Sequence, residues 1–153
     1  MEVGRRIYKT FWGSSEVPDQ KIIGFLLSNF SYIVLGLYLI LKQTNDQYDE
    51  DRTTRAWIII LVGFVSTVFH SNQVTHGHDD HRTEYFHFMD IATAIAAFIF
   101  AVFIRGIDNI PPLTYVLLGL SVPFYFYNGK YYWLTHSIWH LISALVLFTI
   151  LDY

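Results

Sequence analysis

Apolar residues gather in five blocks along the chain, 22–41, 56–75, 85–104, 109–129 and 131–151, and none of these blocks contains Lys or Arg. Each is about 20 residues long, enough at about 1.5 Å per residue to cross the roughly 30 Å hydrocarbon layer as a helix. The polar stretches between them, QTNDQYDEDRTTR, HGHDDHRTE, RGID and NGK, are short and read as turns. The pattern predicts an all-α integral membrane bundle of about five transmembrane helices. Residues 22–153 form one transmembrane domain, preceded by an interfacial or flexible segment over 1–21. The fourth block is the weakest, because Pro111 and Pro112 delay its helix start and Pro123 interrupts it, so a short or tilted helix is expected there. The first block starts only at Ile22 and has the length of a full span, which speaks for retention in the mature protein instead of cleavage as a signal peptide.

Sidedness follows from the bases. Arg5, Arg6, Lys9, Lys21, Arg82 and Lys130 fall on the N-terminal side, against Lys42, Arg52, Arg55 and Arg105 on the other, and this imbalance favours a cytoplasmic N-terminus. Trp57, Tyr131, Tyr132 and Trp133 lie near block ends, as interfacial aromatic anchors do. The run FYFYNGKYYW reads first as part of that belt.

Composition narrows the chemistry. With 53% hydrophobic and 15% charged residues the chain is too apolar for an ordinary soluble domain of 153 residues. A formal charge of −3 without a basic patch excludes nucleic acid as a partner. The absence of cysteine removes disulfides and thiolate metal sites, so any metal needs nitrogen and oxygen ligands.

The polar groups inside the apolar blocks carry the functional signal. His70 stands near the end of the second block, Asp90 near the start of the third, and His136 and His140 near the start of the fifth. Because successive spans alternate direction, all four fall toward the same membrane face. Ser66 lies four residues before His70, one turn away on the same helical face, and His136 and His140 repeat that spacing. An ionisable group in a span costs about 3 kcal/mol at mid-bilayer on insertion scales and by default marks a function. Three imidazoles suit a catalytic zinc site, which takes three protein ligands and keeps a fourth position for water. His70, His136 and His140 are the candidate ligands. Asp90 is the candidate base or orienting group, and Ser66 a donor to water or a substrate carbonyl. Against this stands ordinary interhelical packing, the usual fate of a lone intramembrane histidine.

Taken together, Ser66-Thr67-Val68-Phe69-His70, Asp90 and His136-Ser137-Ile138-Trp139-His140 resemble the three motifs of the CREST superfamily of membrane hydrolases. That group includes the alkaline ceramidases, the progestin and adipoQ receptors, and a phospholipase A that acts on GPI-anchored proteins. The spacing from His70 to Asp90 and the HSIWH wording look most like the last branch. The resemblance implies zinc held by the three histidines, with Asp90 and Ser66 handling the water, and a membrane lipid as substrate. It also implies seven spans where five are counted, with about two lost between the Asp span and the HxxxH span. A homodimer is one way to replace the pocket wall those helices form.

The expected function is therefore a zinc-dependent intramembrane hydrolase that cleaves an ester or amide bond of a membrane lipid by metal-activated water. The alternative is a non-enzymatic metal-binding receptor or scaffold in which zinc staples the helices. A haem protein with His70 opposite His136 or His140 has no use for Ser66 or Asp90. A retinal protein is excluded because Lys9, Lys21, Lys42 and Lys130 lie outside the spans or at their edges.

Three further features have blander readings. The loop VTHGHDDHRTEYFH, with His76, His78 and His81, reads as a solvated segment that binds metal only adventitiously. His87 is the best substitute ligand and a candidate hydrogen-bond partner of Asp90, three residues on. Asn29, within LLSNFSY, reads as a helix-packing residue.

Overall fold

A computed structural model describes residues 17–42, 50–77, 80–127 and 129–152. Six helices follow in order: α1 (Ile22–Leu27), α2 (Phe30–Leu41), α3 (Glu50–His76), α4 (His81–Arg105), α5 (Pro112–Phe126) and α6 (Tyr132–Leu151). A 3₁₀ turn at Asp19–Lys21 leads into α1, another at Ile107–Asn109 joins α4 to α5, and no strand occurs among the described residues. Four stretches are long and apolar enough to cross a membrane: Asp19–Leu41, Asp51–His76, His81–Arg105 and Tyr132–Leu151. The all-α bundle expected from the sequence is present, with the makeup of a multi-pass membrane protein. Of the 1–21 segment, all but the residues from 17 onward lies outside the described residues.

The fourth apolar block forms a helix of only 15 residues, about 22 Å long and short of the full hydrocarbon thickness. Its prolines explain the start. Pro111 holds φ −59° and ψ 140° as the N-cap, and the helix begins at Pro112, a position where the missing N–H costs nothing. The helix runs on through Pro123 and stops at Phe126, where Tyr127 turns extended.

The first block is a single helix in the sequence reading but two helices joined by a tight turn in the structure. Ser28 Oγ donates to Phe25 O at 2.6 Å, Asn29 Nδ2 to Leu26 O at 3.3 Å and Ser31 Oγ to Ser28 O at 2.8 Å. The backbone follows suit, with Asn29 N bonding Leu26 O and Tyr32 N bonding Asn29 O, each three residues back. Small polar side chains that compete for backbone carbonyls tighten a helix into this 3₁₀ form. At α3 and α4 the polar margins extend the element: α3 begins at Glu50, well before the apolar block, and Asp80 caps α4 by accepting from Arg82 N at 2.8 Å.

Helix α6 is the common wall. It packs against α1, α2, α3, α4 and α5, whereas α4 and α5 scarcely meet each other. Its buried residues Tyr132, His136, His140, Ala144, Leu147 and Leu151 recur every three to four positions, the stripe of a helix with one inward face. The stripe divides the molecule by height. Ala144 to Leu151 join Leu39, Ile59 and Ala101 in an apolar core at one end, and the polar rungs lie at the other. The first and second spans approach closely through glycine: a Cβ on Gly63 would stand 2.7 Å from Tyr32 Cβ, and one on Gly36 would stand 2.8 Å from Ala56 O. Lipid is as apolar as a leucine face, so such close contact and interhelical hydrogen bonds hold these helices together. Tyr32 Oη to Ser143 Oγ (2.6 Å) and Thr114 Oγ1 to Thr149 Oγ1 (2.9 Å) are two such bonds. Lys42 pairs with Asp152 at 2.9 Å, tying the end of the first span to the end of the last.

Candidate metal centre

Ser66 and His70 lie on the inward stripe of α3. Ile59, Val62, Ser66, Phe69, His70 and Gln73 are all buried, so the register that packs the apolar core also turns His70 inward. The same holds on α6, where Tyr132, His136 and His140 continue the core stripe upward. His70 and His140 are wholly buried and His136 nearly so. One nitrogen from each of the three rings lies within 4.8 Å of the other two, and the three can hold a metal ion.

His70 Nε2 and His140 Nε2 are 3.0 Å apart. The His136 ring stands edge-on to both, with centroids 4.7 Å from His140 and 5.0 Å from His70. The hydrogens follow from the partners behind the rings. His140 Nδ1 lies 2.7 Å from Ser28 Oγ, which donates to Phe25 O at 2.6 Å and so is placed to accept from an Nδ1–H. His70 Nδ1 lies 2.7 Å from Gln73 Oε1, an acceptor, and donates likewise. With hydrogen on both Nδ1 atoms, the two Nε2 atoms present lone pairs to each other across 3.0 Å in a buried setting. Two facing lone pairs repel unless positive charge lies between them, so this donor set fits a cation. All three donors are nitrogens, which suits a borderline or transition-metal ion better than calcium or magnesium.

Aromatic rings seal the cluster. Phe25, fully buried on α1, sets its ring edge-on to His70 at 4.7 Å. Tyr132 stacks on His136 at 4.8 Å, and its Oη accepts from Gln73 Nε2 at 3.4 Å. Tyr132 is thus a buried element of the centre and not an interfacial anchor, while Trp57 and Tyr131 keep the exposed positions an aromatic belt requires.

Asp90 and Ser66 stand beside the cluster. A cavity of about 260 Å³ is bordered by His87, Asp90, Ser121, Tyr125, His136 and Trp139, so the carboxylate and one candidate ligand share a space. Ile95, Val122 and Phe126 also border it and are exposed on the outside of the bundle, so the cavity opens between α4 and α5, where packing is thinnest. Ser66 Oγ is buried and lacks a hydrogen-bond partner among the described residues; the Asp90 carboxyl is close enough to interact with it but not at bonding geometry. Buried hydroxyls are rarely left so.

Of the secondary features, His87 stays outside the three-histidine cluster and stacks flat on Phe69 at 4.8 Å. His76 and His81 are exposed, and His78 lies outside the described residues. Asn29 is buried but turns its amide back to Leu26 O. Ser28 and Gln73 were missed by the sequence reading. Gln73 was legible in principle, one turn after His70 on the same face. Ser28 was not, because its partner lies 112 residues away.

No family model matches the chain, and neither a curated protein nor a solved structure matches it.

Proposed function

We propose that this chain is a reduced member of the CREST superfamily, acting as a zinc-dependent intramembrane hydrolase on an ester or amide bond of a membrane lipid. The observation that carries this reading is the pair of Nε2 atoms facing each other at 3.0 Å, beside a third imidazole and next to a cavity that holds a buried carboxylate. The ligand set of the proposal is His70, His136 and His140. Zinc, when bound, supplies a Lewis acid that acidifies a water and polarises a carbonyl.

The chain's own residues perform the rest. Asp90 is the general base: it borders the cavity beside His136, where a carboxylate can take a proton from water and return it to the leaving group. Ser66 donates its hydroxyl hydrogen to the carbonyl oxygen or to Asp90, the task that its lack of a partner leaves open. Tyr125 and Trp139, whose rings lie 5.0 Å apart, form an aromatic wall along which the lipid's apolar portion lies. The opening between α4 and α5 lets substrate arrive from the bilayer without crossing water.

The test has two parts. Elemental analysis of detergent-purified protein gives about one zinc per chain for the native sequence and strong depletion for His140→Ala. A panel of labelled ceramides and phospholipids is hydrolysed by the native chain and not by Asp90→Ala, which keeps its zinc. Stoichiometric zinc with no hydrolysis of any lipid makes the protein a metal-stapled scaffold joining α3 to α6. Equal metal in the native chain and His140→Ala removes the centre altogether.

A further inference from the structure

The two rings that face each other at 3.0 Å admit two arrangements of one proton. With hydrogen on Nε2, His140 donates to His70 Nε2, and the pair is closed to a cation. With hydrogen on Nδ1, His140 turns its Nε2 lone pair toward the centre. The choice depends on what lies behind the ring, and that is Ser28, from a different span and 112 residues away in sequence.

Ser28 has one hydroxyl hydrogen and two neighbours for it. Phe25 O, at 2.6 Å, can only accept, so the hydrogen goes there and Oγ is left to accept from His140 Nδ1 at 2.7 Å. The 3₁₀ turn between α1 and α2 places this oxygen in a buried setting: His140 is wholly buried, Ser28 nearly so. Gln73 stands in the same relation to His70, with Oε1 2.7 Å from Nδ1 and its amide nitrogen directed to Tyr132 Oη.

We infer that Ser28 is a positioning residue that commits His140 to the metal-ligating tautomer, with Gln73 doing the same for His70. The inference rests on the metal-centre reading above. It assigns a function to the polar break in the first span, a segment that none of the three motifs includes. A hydrogen bond to Nδ1–H also makes Nε2 a stronger donor, and loss of such partners typically costs 10- to 100-fold in metal affinity.

The experiment uses the full chain in detergent with ¹⁵N-labelled histidine, first stripped of metal. Long-range ¹H–¹⁵N correlation in the native chain shows His140 protonated at Nδ1. In Ser28→Ala the population moves toward Nε2–H. Zinc affinity, measured by chelator competition, falls by about 10- to 100-fold in Ser28→Ala and is restored in large part by Ser28→Thr, which returns the hydroxyl. Gln73→Leu lies away from the α1–α2 turn and carries the test on His70 should Ser28→Ala fail to fold. An unchanged His140 tautomer together with zinc affinity within about twofold of native in Ser28→Ala overturns the inference. A native chain that binds no zinc sinks the metal-centre reading instead, with the tautomer of His140 still read directly.

Discussion

His140 is wholly buried: its ring is enclosed by Phe25, Tyr32, Trp139 and the other two histidines. A buried polar ring of this kind must satisfy both nitrogens, and it does so through Ser28 on one side and the centre on the other. His140→Ala should therefore lose metal without losing helicity, a result read by elemental analysis beside circular dichroism. Asp90 makes a sharper distinction. Asp90→Asn keeps the shape and removes the base, so lipid turnover should fall by about 10²- to 10⁴-fold while zinc content stays at the native level. Loss of zinc along with turnover would make Asp90 a ligand. These residues were visible in the sequence because charged and imidazole groups are costly in an apolar block. Tyr132 was assigned to the interface instead, since a tyrosine near the end of a span belongs there by default; only the stacking on His136 shows otherwise.

At the scale of elements, the first span is the one whose geometry the centre depends on, and glycine sets its distance from the second. A side chain on Gly63 would collide with Tyr32 Cβ and crowd Asn29 O, one residue from Ser28. Gly63→Val should destabilise the bundle by about 1–3 kcal/mol through overpacking, and unfolding in mixed micelles checks this. Gly24→Ala is the control: nothing lies within 4 Å of the added carbon, so stability should hold or rise slightly. The hydrogen bond from Tyr32 to Ser143, whose own hydrogen goes to Trp139 O, joins the same span to α6. Its coupling in a Tyr32→Phe, Ser143→Ala double-mutant cycle should be about 0.6 to 1.7 kcal/mol, the range for such bonds in membranes. Helix existence was legible from block length. The break at Ser28 and Asn29 was not, because both positions keep helical dihedrals and differ only in which carbonyl they address.

For the molecule as a whole, the contrast is between its two ends. One end is closed by the apolar core, by the Lys42–Asp152 ion pair and by Arg105 Nη1 donating to Ile150 O at 3.1 Å. The other holds the three buried histidines and opens laterally between α4 and α5. Metal that binds only the folded bundle stabilises it by mass action, about 2.7 kcal/mol at a hundredfold excess over Kd. Chelation should accordingly lower the thermal unfolding midpoint of the native chain, and the same treatment should leave His140→Ala unchanged. An equal shift in both would assign the effect to the exposed His76 and His81 instead.

Local chemistry was enough to settle the all-α class, the long apolar helices and the short fourth helix, and to single out His70, Asp90, His136 and His140 as polar groups inside apolar blocks. Each depends on periodicity, proline geometry or the cost of charge in lipid, which are properties of neighbouring residues. Tertiary structure alone decided that the Nε2 atoms of His70 and His140 face each other, that Asp90 shares a cavity with His136, and that Ser28 stands behind His140. Those are relations between rings on separate helices, set by how closely glycine lets two spans approach and by the face α6 turns toward each neighbour. No spacing along a single segment encodes them.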